Sequence, residues 1–278
     1  MIENNIDNTF EYEERIVAFI DILGFKALID STNTADAQAN SDNIKKMIDI
    51  YTEIENSLNE NLQKNDGILD DLKITRFSDC IVISFPEKQR DALFFLCISL
   101  LHFLYEMLVK YNLVFRGGIT SGKLIHNNQY LFGPAMNRAY ELESNFAIYP
   151  RIIVDEIVLN KRVEWLQEIK TQLLQEPNEQ NQFLFESLIN ELEHFDLSNS
   201  KNCILSIDTD NFLYIDYLTK IDTEFDDPEY DFPLYLNNVN DIISNNLNSR
   251  STSVIQKYQW MLNKIQPILE HFNSRSSH

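Results

Sequence analysis

The stretch that decides the fold is RIVAFIDI, residues 15–22, followed at once by Leu23, Gly24 and Phe25. Arg15 to Ile22 is apolar and β-branched, the composition of a buried strand. Asp21 falls at the end of that strand, where a sheet gives way to solvent or ligand. Gly24, three residues on, permits the close backbone approach that a phosphate needs. The same residues equally describe a surface carboxylate and a turn glycine after a core strand, so the remaining chain has to decide.

The chain has 278 residues, 44% of them hydrophobic, enough for one large domain or one domain with an appendage. Its net charge of −20 argues against an unaided nucleic-acid or anionic-membrane binder, both of which need a basic footprint. A nucleotide remains admissible, because a divalent metal can supply positive charge locally. Cys80, Cys97 and Cys203 form no CxxC pair and are odd in number, which predicts free thiols in a reducing cytosol. The polar, acidic amino terminus has no signal-peptide pattern. The longest apolar stretch, Ala92 to Leu104, is broken by Ser99 and His102 and is too short for a bilayer. The expectation is a cytoplasmic protein with no membrane and no nucleic-acid partner.

Hydrophobic periodicity predicts a helix over 36–63, a loop at Asn65-Asp66-Gly67, and short strands at 72–77 and 80–85 joined at Ser78-Asp79. Ser-Asp is not a favoured hairpin turn, so either the loop is longer or Asp79 is kept for its carboxylate. A strongly apolar helix spans 89–111, a strand 113–120, a second short strand 124–126, a helix from Pro134 through Glu143, and a strand 151–154. Residues 156–200 read as a helical insertion broken near Pro177, and 202–218 as a last hairpin. An acidic linker covers 222–233, and two helices form a C-terminal appendage over 234–278; residues 1–14 are expected to be disordered or extended. The opening order is the ferredoxin-like βαββαβ unit, an α+β fold with a mainly antiparallel sheet and helices on one face. In that topology Asp21 and Asp79 emerge together at one end of the sheet. Two such carboxylates suit paired divalent ions, with the Ile22 carbonyl as a further oxygen ligand and the Leu23, Gly24 and Phe25 amides facing terminal phosphates.

Four blocks, FIDILGF at 19–25, FSDCIVISF at 77–85, FRGGITSGKL at 115–124 and FGPAMNRAYELES at 132–144, resemble in order and spacing the signature blocks of class III nucleotidyl cyclases. The resemblance covers about residues 15–220. Within the family the chain is most similar to the short stand-alone bacterial cyclases of Pycsar antiphage defence, which make cyclic CMP or cyclic UMP. The resemblance implies a homodimer with sites at the interface, two Mg2+ or Mn2+ ions per site, a nucleoside triphosphate substrate and a separate effector protein that reads the product. By position, Asp21 and Asp79 match the metal-binding aspartates and Asn137 the asparagine that orients the ribose. Thr75 and Tyr130 fall where adenylate cyclases carry a purine-selecting Lys and Asp. Neither repeats that readout, and a Tyr suits a smaller base, so UTP or CTP is expected.

The family's transition-state arginine is replaced by Glu141, which cannot stabilise developing phosphate charge. Arg138 and Arg116 are the candidate substitutes, although an Arg beside strand glycines is as often a structural ion-pair partner. Lys220, after the last strand, is a candidate phosphate contact or simply a solvated lysine. The five histidines show no metal-ligand spacing. Alternatives left open are an inactive cyclase-like nucleotide-binding or dimerisation module and a purine cyclase. A palm-type polymerase shares the two carboxylates, but its template needs basic contacts.

Overall fold

A computed structural model describes residues 11–62, 70–89, 91–175, 179–198 and 203–275. The Asn65-Asp66-Gly67 loop, Pro177 and residues 1–10 lie outside the described residues. The first strand, β1 (Glu13–Ile22), is central, with six consecutive buried residues from Arg15 to Ile20. Helices α1 (Phe25–Ser31) and α2 (Ala37–Leu62) follow, then the hairpin β2 (Lys73–Phe77) and β3 (Cys80–Pro86). Next come α3 (Ala92–Tyr111) and β4 (Phe115–His126). β1 pairs antiparallel with β3 on one side and β4 on the other, and β2 lies outside β3. That is the ferredoxin-like arrangement, and the α+β class is the one expected from the sequence.

The sheet continues past β4 through a parallel pairing to β6 (Ile152–Val154), then to the hairpin β7 (Leu205–Ile207) and β8 (Leu213–Ile215). A two-residue strand, β5 (Leu131–Phe132), pairs with the end of β4. β4 is one strand where two were expected, because Gly122 takes φ 153°, a value open to glycine, and the ladder runs through it.

One face of the sheet carries α2 and α3. Eleven residues of α3 are buried, each large apolar one contributing about 2 kcal/mol on burial. This helix is long and apolar enough to cross a membrane, the expected limit at Leu104 being passed because it runs to Tyr111; here it lies inside the core. The opposite face holds α4 (Pro134–Glu141) and a π-helical turn at Leu142–Phe146. Val17, Phe19 and Leu124 pack there on Ala135 and Ala139. Gly118 makes this possible: a Cβ there would stand 2.4 Å from Leu142 Cβ and 2.8 Å from the Ala139 carbonyl.

After β6, α5 (Glu156–Gln175) and α6 (Glu179–His194) occupy the helical insertion. The supposed acidic linker is largely helical: a 3₁₀ turn spans Ile221–Glu224 and Pro228 opens α7 (Pro228–Leu247). Proline is well suited to a first helical turn, where its missing N–H costs nothing. α7 and α8 (Thr252–Arg275) bury Phe232, Tyr235, Leu236, Tyr258, Met261 and Ile265 in the same core as α3. A buried clasp fixes α8. Asp208 accepts from Trp260 Nε1 and Lys264 Nζ, each at 2.8 Å, and pairs with the fully buried Arg151.

Candidate active site

The register of β1 against its neighbours builds the site. Asp21 stands opposite Cys80 on β3 and opposite Arg116 on β4. Phe77 and Cys80 pair directly, so the hairpin loop is the two residues Ser78 and Asp79. Ser78 takes the left-handed φ of 56° that this tight turn imposes, and the Tyr51 hydroxyl of α2 donates to its carbonyl at 3.1 Å. The Ile22 N–H donates to the Asp79 carbonyl at 3.2 Å, tying the turn to the end of β1. One oxygen each from Asp21 and Asp79 and the Cys80 sulfur lie within 4.8 Å of one another. The structure thus brings the two aspartates together.

Arg116 bridges this cluster to a third carboxylate. Its Nε donates to Asp21 Oδ2 at 3.2 Å, and its Nη2 lies 2.7 Å from Glu143 Oε1. That second contact has ion-pair distance without hydrogen-bond direction, and Glu143 Oε1 is buried with no hydrogen bond. Glu143 belongs to the π-helical turn, a local widening of the helix common at functional sites. Burial pushes its carboxyl up to about 7, helped by Asp21 and Asp79 and opposed by Arg116. Burial also raises Asp21, against the hydrogen bond and charge of Arg116, with Asp79 adding in the same sense. The Cys80 thiol is raised to about 12 by burial and then by Asp21, Asp79 and Glu143. At neutral pH it stays protonated and is no ligand for a hard cation. Tyr51 is raised by burial and by Asp79.

Three carboxylates against one guanidinium leave excess negative charge and oxygen donors, the set that Mg2+ or Mn2+ takes. The orphaned Glu143 oxygen fits the same need.

The other predicted residues divide. The Leu23 amide donates to the Val114 carbonyl at 2.9 Å, so it is not available to a phosphate. Gly24 takes φ 84° and precedes α1, whose first residue is Phe25. Asn137 is exposed on α4. Arg138 is held by Asp155 at 2.8 Å and by Glu141 at 3.0 Å, which makes it a structural ion-pair partner rather than a free cation. Lys220 sits beside Cys203 and Asp222. Thr75 is committed elsewhere: its hydroxyl meets His126 Nε2 at 2.9 Å, and His126 Nδ1 meets Ser84 Oγ at 2.8 Å. Tyr130 is 48% exposed and stands edge-on to Phe132.

Sequence reasoning missed Glu143, Tyr51 and Lys257. Glu143 ends the helix expected from Pro134 with no role assigned to it, and Tyr51 falls within the helix expected over 36–63. Lys257 lies on α8, outside the four blocks. It is half-buried, with its ammonium lowered by burial and by Arg116 and raised by Asp21.

No protein-family model matches the sequence, and no curated protein matches it. Among solved structures, the adenylyl cyclase CyaB from P. aeruginosa aligns at 17% identity over 55% of this chain and 82% of that one, with TM-score 0.40. The guanylyl cyclase domain of the RhoGC fusion protein from the aquatic fungus Blastocladiella emersonii aligns at 19% identity over 57% and 88%, TM-score 0.40. A bacterial light-regulated adenylyl cyclase aligns at 20% over 55% and 81%, TM-score 0.37.

Proposed function

We propose that this chain is a nucleotidyl cyclase that converts a pyrimidine nucleoside triphosphate, UTP or CTP, to its 3′,5′-cyclic monophosphate and pyrophosphate. The observation that carries this is the convergence of Asp21, Asp79 and Glu143 around Arg116 at one end of the sheet. Asp21 and Asp79, with the Ile22 carbonyl and Glu143, would hold Mg2+ or Mn2+, two ions per site. A divalent cation bound there lowers the pKa of an attacking hydroxyl and neutralises a polyphosphate leaving group. In the reaction the ribose 3′-oxygen forms a bond to the α-phosphorus, the bond from that phosphorus to the pyrophosphate oxygen breaks, and the hydroxyl proton passes to water. The chain's own part is to position these atoms. The Gly24 and Phe25 amides meet phosphate oxygens, Asn137 orients the ribose, and Tyr130 stacks on the base. With Thr75 bound to His126, base choice rests on Tyr130.

Phe77, Tyr130, Phe132 and Tyr140 are exposed aromatic side chains, Phe77 at 79%. Exposed aromatics of this kind suit contact with a second copy of the chain, with the sites at the interface. A cyclic pyrimidine nucleotide would serve as a second messenger to a separate effector in antiphage defence, as the Pycsar resemblance suggests.

Incubating the protein with each of the four triphosphates and Mn2+ tests activity and base together. Cyclic UMP or cyclic CMP is the expected product, and cyclic AMP or cyclic GMP makes it a purine cyclase. Asp79→Ala should abolish turnover with the circular dichroism spectrum unchanged; retained turnover refutes the assignment. A second function is favoured by one observation: Arg116 and Arg138 are both engaged in ion pairs, as befits a nucleotide-binding module without turnover. Triphosphate binding with no cyclic product from any base would establish it.

A further inference from the structure

With Glu141 in the arginine position and Arg138 paired to Asp155, α4 offers the substrate no free cation. The C-terminal helix does. α8 passes the sheet end that bears the aspartates: Tyr258 Oη lies 3.5 Å from Asn112 Oδ1, in the connection that enters β4 just before Arg116. The same connection supplies the Val114 carbonyl to the Leu23 amide, two residues after Asp21. Tyr258 is buried and Val254 packs on the core, which fixes the turn of helix between them. Lys257 sits in that turn, next to Tyr258. It is half-buried, and among the described residues no carboxylate makes an ion pair with it. Arg116 and Asp21 are its electrostatic neighbours. A partly desolvated ammonium without an anion is costly unless a ligand supplies one. The clasp on Asp208 holds the helix in place three residues further on, at Trp260.

We propose that Lys257 is the phosphate-binding cation of this site, contacting the β- and γ-phosphates of the nucleoside triphosphate and the pyrophosphate that leaves. The proposal rests on the cyclase function above. It gives the two C-terminal helices a purpose in the reaction: they supply the site with a cation where α4 has Glu141 and a paired Arg138. A lysine is a compact point charge suited to a polyphosphate.

The test is calorimetric titration of inorganic pyrophosphate into the full-length protein with saturating Mn2+, for wild type, Lys257→Gln and Lys257→Arg. Losing one charge-assisted contact should weaken pyrophosphate about ten- to a hundredfold in Lys257→Gln. Lys257→Arg should recover most of the affinity, which a merely structural role would not require. Mn2+ binding, titrated separately, should not weaken in either variant, and the melting temperature should not fall, because Lys257 makes no ion pair. Lys257→Gln that binds pyrophosphate like wild type overturns the inference and leaves the cyclase function standing. Wild-type protein that binds neither Mn2+ nor pyrophosphate overturns the cyclase function and the inference with it.

Discussion

His126 makes the stability of this fold depend on pH in a direction and amount that its surroundings set. The imidazole is buried, bonded through Nδ1 to Ser84 and through Nε2 to Thr75, and Arg15 Nε donates to the same Ser84 hydroxyl at 3.0 Å. A neutral ring satisfies this chain if Ser84 donates to Nδ1 and Nε2–H donates to Thr75. A protonated ring donates at both nitrogens, so Ser84 would receive two donors beside a buried guanidinium. Burial, then Arg15 and Lys73, accordingly lower His126 from 6.5 to about 4, with Asp71 opposing weakly. Because the folded chain binds this proton less tightly than the unfolded chain, the contribution is complete above pH 6.5. It is lost as pH falls toward 4.

Linkage between 6.5 unfolded and about 4 folded gives a loss of ~2 kcal/mol between pH 8 and pH 5. Other groups titrate over that range, so the measurement is a difference against His126→Asn, which keeps a polar side chain and removes the proton. Equilibrium urea unfolding of both proteins in chelator-containing buffer at pH 8 and pH 5 provides it. Wild type should lose ~2 kcal/mol of its advantage over the variant across the interval. Parallel pH profiles refute the argument, since they would mean that the ring titrates alike in the folded and unfolded chains.

Glu143 carries the opposite sign. Its folded carboxyl, at about 7, binds a proton more tightly than the unfolded one at 4.5, so it adds stability as pH falls below 7. In the same metal-free unfolding series, wild type should gain about 2–3 kcal/mol over Glu143→Gln between pH 8 and pH 5, and no gain would mean that the carboxyl is ionised throughout. Asp208→Asn removes the charge that satisfies the fully buried Arg151 together with Lys264 and Trp260. It should cost about 3 kcal/mol, read as a lowered melting temperature; an unchanged melting temperature would show that Asp210 alone suffices for Arg151.

The sheet was legible because its signals are local. Apolar runs bounded by Asp21, Pro86 and the Ser78-Asp79 turn mark strands without any long-range information. The order of those strands then brought Asp21 and Asp79 to one end. Helix α1, at seven residues, is too short to show a period. Helical periodicity over 234–278 does not say what the helices pack against, so the C-terminal pair looked like an appendage although it shares the core with α3. Glu143 and Thr75 illustrate the deeper limit. Both are acidic or polar residues in unremarkable local contexts, and only contact between elements distant in sequence gives Glu143 its Arg116 and Thr75 its His126.

Charge balance explains why the missing arginine need not end the chemistry. Local comparison of blocks sees Glu141 where a cation belongs and finds Arg138 and Arg116 as neighbours, yet both guanidiniums already face carboxylates. A polyphosphate brought to Asp21, Asp79 and Glu143 would meet three negative groups, and an arginine held by two of them has little positive field to spare. Asp21 and Glu143 would be neutralised if they held a divalent ion, and the oxygens that now face Arg116 would then be shared with it. On the proposed function, Arg116 from β4 and Lys257 from α8 would be left as the two cations able to meet the substrate's phosphates. The site would be electrostatically complete only when metal, nucleotide and the C-terminal helix are together. On this logic Lys257→Gln should matter far more to pyrophosphate binding in the presence of Mn2+ than in its absence, where carboxylate repulsion already prevents binding.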